Sequence, residues 1–134
     1  MITGLAHTCF NTLDLDGIVA FYSALGLPVA FEFKRDDGTR YGVYIRLGRR
    51  TFLEFFVGAD IPAKGQKPCT TYRHICLEVD NLAKTVEELR ARGIEVSDPK
   101  LGMDNSWQAW TADPDGNAIE FHEYTATSWQ APHL

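Results

Sequence analysis

The sequence predicts an α+β domain built from two βαβββ units, and three observations lead there. Residues 7–29 (HTCFNTLDLDGIVAFYSALGLPV) lie over residues 74–96 (HICLEVDNLAKTVEELRARGIEV) in an unbroken register. Both copies change from strand-like to helical spacing at the same place and end at a matched glycine. Each copy is then followed by strand-like runs separated by turn signals. The identical pairs are His7/His74, Cys9/Cys76, Leu15/Leu82, Val19/Val86, Ala24/Ala91, Gly26/Gly93 and Val29/Val96.

The elements follow in order. After the strand-like HTCFN, Asp14 precedes Leu15, Val19 and Tyr22, whose spacing predicts one apolar helical face. A short oxygen-bearing side chain before a helix accepts from its free N–H groups, so Asp14 reads as a cap. Gly26 closes the helix, where a left-handed residue is needed. The runs VAFEF, RYGVYIRL and TFLEFF are predicted strands, separated by RDDGT (35–39) and LGRR. In the second copy Asn81 is the cap, Leu82, Val86 and Leu89 the apolar stripe, and Gly93 the stop. GIEV leads into a second strand and SDPKLGMDN is a long loop. SWQAWTA is a strand, and DPDGN turns into AIEFHEY. The first unit thus occupies 1–57, a Gly-, Pro- and Lys-rich linker 58–68, and the second unit with its C-terminal tail 69–134. Two such units make one domain with two curved half-barrel sheets.

Composition narrows the function. A chain of 134 residues, 45% apolar and 23% charged, is long enough for one domain with a real core. A net charge of −5 argues against nucleic acid or an anionic membrane as partner. The basic cluster Arg46, Arg49 and Arg50 flanks Gly48 and reads as a solvated hairpin. No basic-then-apolar leader opens the sequence and no run is long enough to span a bilayer. Cys9, Cys69 and Cys76 are odd in number and lack metal or CxxC spacing, which predicts a reducing, cytoplasmic setting.

TFLEFF poses a physical problem. Strand alternation puts Phe52, Glu54 and Phe56 on one face and Thr51, Leu53 and Phe55 on the other, and neither face looks solvated. A buried carboxylate is costly unless it is paired or bound to a metal. The repeat supplies candidates: Glu54 lies 47 residues after His7, and Glu120 lies 46 after His74. LEF and IEF are matching triplets. His7, Glu54, His74 and Glu120 therefore form a symmetric set of two imidazoles and two carboxylates. A divalent ion would compensate both charges, and mixed N/O ligation suits Ni, Zn, Co, Mn or Fe. Four such ligands leave two octahedral positions for water or for two adjacent substrate oxygens.

The repeat, with His…Glu…His…Glu on strands one, four, five and eight, resembles the vicinal oxygen chelate superfamily. Its ligand pattern is most similar to glyoxalase I (lactoylglutathione lyase). The likeness runs from LAHTCF through TFLEFF and YRHICLEV to DPDGNAIEFHE. It implies a metal-dependent lyase or isomerase that moves a proton through a metal-chelated enediolate of a small α-oxo substrate. It also implies a homodimer in which a site can draw a ligand pair from each subunit. By that resemblance Glu120 is the first choice of base and Glu54 the second. Glyoxalase I usually offers an arginine beyond the first histidine and an asparagine after the first glutamate to hold glutathione. Here Asn11 and Val57-Gly58 stand there, so the metal centre is implied without the usual glutathione contacts.

Related readings stay open. A three-ligand set of His7, His74 and Glu120 resembles that of extradiol dioxygenases and fosfomycin-modifying proteins, with an epimerase close by. A bleomycin-resistance-like chain would bind its ligand without chemistry. For the substrate-binding surface, Asn11, Phe52, Phe56 and His122 are candidates by strand alternation. Cys9 shares the His7 face, and Cys76 and Glu78 share the His74 face; the two cysteines read as small fillers. Trp107 and Trp110 fall on opposite faces, so at most one lines a pocket and the other joins the core. Lys100 and the loop 98–106 are a candidate lid.

Overall fold

The computed structural model describes residues 4–58 and 73–134. The linker expected at 58–68 lies outside them except for Gly58, as does Cys69. The chain divides into two compact units, Met1–Pro68 and Cys69–Leu134. Each carries one helix on one four-stranded mixed sheet.

In the first unit β1 (His7–Thr12) leads into α1 (Leu15–Ala24). Then β2 (Val29–Lys34), β3 (Arg40–Arg46) and β4 (Phe52–Val57) form an antiparallel meander. The sheet order is β1-β4-β3-β2, with β1 parallel to β4. Asp14 caps α1, its Oδ1 accepting from Gly17 N at 2.8 Å. Gly26 closes the helix at φ 85°, a left-handed conformation that suits glycine.

Helix α1 covers one face of the sheet. Leu15, Ile18 and Tyr22 pack against Val43, Ile45, Leu53 and Phe55, all buried. The stripe runs through Ile18 rather than the Val19 that the repeat suggested, and Val19 is only partly covered. Positions 15, 18 and 22 follow the narrowest track down a 3.6-residue helix, with 19 on its flank. Phe55 is the centre of this core, 5.2 Å from Phe10 and 5.3 Å from Tyr22 between ring centres.

The second unit repeats the plan. It has β5 (Ile75–Glu78), α2 (Leu82–Ala91), β6 (Lys100–Leu101), β7 (Trp107–Ala112) and β8 (Ala118–Glu123), ordered β5-β8-β7-β6 with β5 parallel to β8. Asn81 Oδ1 accepts from Lys84 N at 2.9 Å, and Gly93 ends the helix at φ 82°. Leu82, Val86 and Leu89 are buried with Leu77, Ala109, Ile119 and Phe121. In DPDGN, Asp113 Oδ1 accepts from Asp115 N at 3.0 Å and Asn117 N at 2.9 Å, and Gly116 turns at φ 86°.

The strand expected at GIEV does not form; the sheet edge there is the two-residue β6. Ser97 explains the loss. Its N–H donates to Trp110 O at 2.9 Å while its own Oγ accepts from Trp110 N at 3.0 Å. A side chain thus takes the place of a ladder carbonyl. The Val96 carbonyl is turned to Arg90, which donates from Nε at 3.1 Å and Nη2 at 2.7 Å.

The 98–106 loop is not a free lid. Asn105 Nδ2 donates to Thr127 O at 3.3 Å, Thr125 Oγ1 donates to Asn105 O at 2.7 Å, and Trp129 N donates to Asp104 O at 2.9 Å. Ser106 and Ser128 are joined by a buried hydroxyl bond of 2.8 Å. The C-terminal segment therefore fastens this loop. Among the described residues no helix is long and apolar enough to cross a membrane.

The two faces of β4 differ in what truncation should cost. Phe55→Ala is expected to lose about 3–5 kcal/mol through cavity formation. Phe56→Ala, on the half-exposed face, should lose clearly less, and urea unfolding of the two variants checks the order.

Candidate functional site

The parallel pairing of first and last strand sets the site geometry in each unit. In β1 and β4 the register is His7↔Phe52, Cys9↔Glu54 and Asn11↔Phe56. His7 and Glu54 are therefore diagonal neighbours on the face away from α1. His7 Nε2 lies 3.5 Å from Glu54 Oε2. In β5 and β8 the register is Cys76↔Glu120, and His74 stands one residue before the strand. His74 Nε2 lies 3.0 Å from Glu120 Oε2. Each unit thus assembles one imidazole–carboxylate pair from residues nearly fifty positions apart.

Two further positions repeat. Across the antiparallel ladder Tyr44 faces Glu54 and Trp110 faces Glu120. Tyr44 Oη is 3.3 Å from His7 Nδ1, which directs Nε2 toward Glu54. Trp110 meets His74 edge to face at 4.8 Å. Cys9 and Cys76 sit beside the two carboxylates and are exposed, not core fillers. Desolvation by neighbouring groups, then hydrogen bonding to Glu54 and its charge, pushes the Cys9 thiol up to about 11. Desolvation followed by the Glu120 charge pushes Cys76 up to about 12. Both thiols remain protonated at neutral pH and donate to the carboxylates.

Beyond these the copies diverge. The first site face is aromatic. Phe31 stacks on Tyr44 at 4.5 Å, Phe33 contacts Tyr44 and Phe56 at 5.8 and 5.1 Å, and Phe52 lies 5.6 Å from Tyr44. Phe52 stands beside His7 in register, as expected of a site wall. Phe56 lies further along, against Tyr41 and Phe33. Asn11 is four residues beyond His7, roughly 13 Å along the strand. It is two residues beyond Cys9, the register partner of Glu54, and its side chain packs against Gly58.

In the second unit, the position matching Phe56 is His122. It is 8% exposed, and its Nδ1 lies 3.2 Å from Glu120 Oε1. Its Nε2 is buried without a hydrogen-bond partner, 3.8 Å from Asp104 Oδ2. Gln130, donating at 2.7 Å, is the main cause that holds Asp104 below the usual carboxylate range. Trp110 shares the Glu120 face. Trp107 pairs with Glu123, on the other face, and at 40% exposure it is not in the core.

The donors suit a divalent cation. Two ligands about 2.1 Å from one ion stand about 3.0 Å apart at a right angle and about 3.4 Å apart at the tetrahedral angle. The two Nε2–Oε2 separations fall at those values. Glu54 and Glu120 side chains are only 12% and 11% exposed, and among the described residues their ion pairs run to histidines. Cys76, Glu120 and His122 also bring ligand atoms within 4.8 Å of one another. Sequence reasoning missed Tyr44, Phe31, Phe33 and Asp104. Counting out from LGRR sets Tyr44 opposite Leu53; the turn closes between Leu47 and Thr51, which moves it opposite Glu54.

The model of the Glyoxalase/Bleomycin resistance protein/Dioxygenase superfamily matches residues 4–121. The uncharacterized protein YwkD of Bacillus subtilis (strain 168) is 28% identical over 92% of this chain and 98% of its own. A bleomycin-binding protein solved with bleomycin superposes with a TM-score of 0.66 and 25% identity, over 92% of this chain and all of its own. Lactoylglutathione lyase from Agrobacterium tumefaciens superposes with a TM-score of 0.62 and 24% identity, over 91% and 94% of the two chains.

Thiol chemistry checks the geometry of each pair separately. At pH 8 a thiol with its pKa near 11 holds roughly a hundredfold less thiolate than an unperturbed one, so both cysteines should alkylate slowly. Glu54→Gln should speed alkylation of Cys9 alone and Glu120→Gln that of Cys76 alone, read by peptide mass mapping.

Proposed function

The chain belongs to the glyoxalase/bleomycin resistance protein/dioxygenase superfamily, and from that premise we propose that it is a divalent-metal-dependent lyase or isomerase of glyoxalase I type. Its substrate on this reading is a small α-oxo compound, and His7, Glu54, His74 and Glu120 hold the ion. The supporting observation is the duplicated pair: an imidazole nitrogen and a shielded carboxylate oxygen at ligand spacing in both copies. When bound, the cation supplies Lewis-acid stabilisation of negative charge on substrate oxygen.

The chain's own residues divide the remaining work. A general base must reach the carbon next to the carbonyl, take its proton and return it one carbon along. What supports Glu54 in that role is its looser setting. It stands 3.5 Å from His7 and otherwise meets a phenol and a thiol, whereas Glu120 lies 3.0 and 3.2 Å from two histidines. This reverses the ranking drawn from resemblance, with Glu120 as anchor and Glu54 as the carboxylate that moves. Phe52 and Tyr44 exclude water beside Glu54, which strengthens every polar contact there. Trp110 does the same beside His74. Asn11 has no part in this reading, and Phe56 only extends the apolar wall.

Of the described cations, Arg46 lies 5.8 Å over the Phe52 ring and Arg35 5.1 Å over the Tyr41 ring, and neither stands at the Asn11 position where the resemblance implies an arginine for glutathione. A small uncharged thiol adduct or a plain hydroxy-ketone suits such a surface better. The aromatic wall also favours a second reading, a protein that binds a flat apolar ligand without chemistry, and one similar structure is a bleomycin-binding protein solved with bleomycin. A homodimer and a cytoplasmic setting complete the proposal.

Proton exchange separates the two readings. Nickel-loaded protein in deuterated water, given the hemithioacetals of methylglyoxal with glutathione and with 2-mercaptoethanol, should label the carbon next to the carbonyl by NMR. Glu54→Gln should cut that rate by about a hundredfold or more while keeping the ion. Absence of exchange with either adduct in the loaded protein would favour the binding reading.

A further inference from the structure

The two copies of the pair differ at one position that symmetry would make equivalent. Two residues after Glu54 stands Phe56, which joins the aromatic wall. Two residues after Glu120 stands His122, buried, with Nδ1 3.2 Å from Glu120 Oε1. Glu120 therefore has both oxygens engaged, Oε2 toward His74 and Oε1 toward His122. A carboxylate oxygen can only accept, so Nδ1 carries the hydrogen.

Behind His122 stand a carboxylate and a ring. Asp104 Oδ2 stands 3.8 Å from its Nε2, and Tyr124 packs edge to face on its ring at 4.8 Å. Asp104 is held by Gln130 Nε2 at 2.7 Å and Ser106 N at 3.2 Å, and its carbonyl accepts from Trp129 N at 2.9 Å. A continuous series of contacts thus joins the C-terminal segment to Asp104, His122, Glu120 and His74. Every member lies within the second unit.

We infer that His122 is a positioning residue for Glu120, through its Nδ1–Oε1 hydrogen bond. Resting on the metal reading above, it fixes which carboxylate oxygen faces His74 and makes Glu120 the rigid anchor of the ion. A ligand whose free oxygen is hydrogen-bonded keeps one orientation and one basicity, and loss of such a partner costs about 10–100-fold in metal affinity. Phe56 offers Glu54 no such bond, which is why the two carboxylates part in their roles.

The test is cobalt(II) titration of the full chain, read by stoichiometry, affinity and the visible absorption of the bound ion. His122→Phe should keep one site but weaken it by about 10–100-fold and shift the absorption bands. His122→Asn, whose amide N–H falls near Nδ1, should restore most of both. An unchanged His122→Phe titration overturns the inference while leaving the metal reading intact. Complete loss of cobalt in both His122→Phe and His122→Asn overturns it too, since His122 would then be a ligand. Failure of the parent protein to take cobalt overturns inference and metal reading together.

Discussion

The cost of shielding a carboxylate from water organises this molecule. Glu54 and Glu120 each stand on a strand whose neighbours are apolar, and each must find compensation on its own sheet. The parallel pairing of β1 with β4 and of β5 with β8 provides it, because that register sets a histidine diagonally beside each glutamate. The remainder of each unit serves this pairing. The helix crossover allows the first and last strands to run parallel, and the opposite sheet face binds the helix. The free face is left to the pair, its thiol and its aromatic neighbour.

Duplication explains the resemblance of the two pairs, and divergence explains why they need not act alike. Histidine, cysteine, a facing aromatic ring and glutamate occur in both copies. The first copy surrounds them with Phe31, Phe33, Phe52 and Phe56, and the second with His122, Asp104 and Gln130. An apolar wall suits substrate contact and a mobile base. A hydrogen-bonded surround suits a fixed ligand. On this view chemistry and anchoring fall to different halves of one repeat.

Much of this was legible in the sequence, for physical reasons that differ by element. Asp14, Asn81, Gly26 and Gly93 announced the helix ends because capping and left-handed turns admit few residue types. The His7–Glu54 and His74–Glu120 pairings were visible because a carboxylate among apolar strand residues is an unresolved cost. Ile18 was mistaken for Val19 because helical periodicity tolerates a one-residue rotation of the stripe. The strand at GIEV failed because Ser97 bonds through its side chain, an event that no alternation pattern encodes. His122 was seen only as a polar group on the right face. Its bond to Glu120 depends on which rotamer the ring adopts, and alternation gives the face of a side chain but not its rotamer. Trp107 shares the face of buried Ala109, but it stands at the first position of β7 and stays 40% exposed.

The central proposal is that the two histidine–carboxylate pairs are ligands for a divalent ion, and elemental analysis tests it most directly. Protein reconstituted with nickel and dialysed should retain about one ion per chain, and His7→Ala and His74→Ala should each lose it. Retention of no ion by the parent protein would contradict the account, as would full retention by His7→Ala.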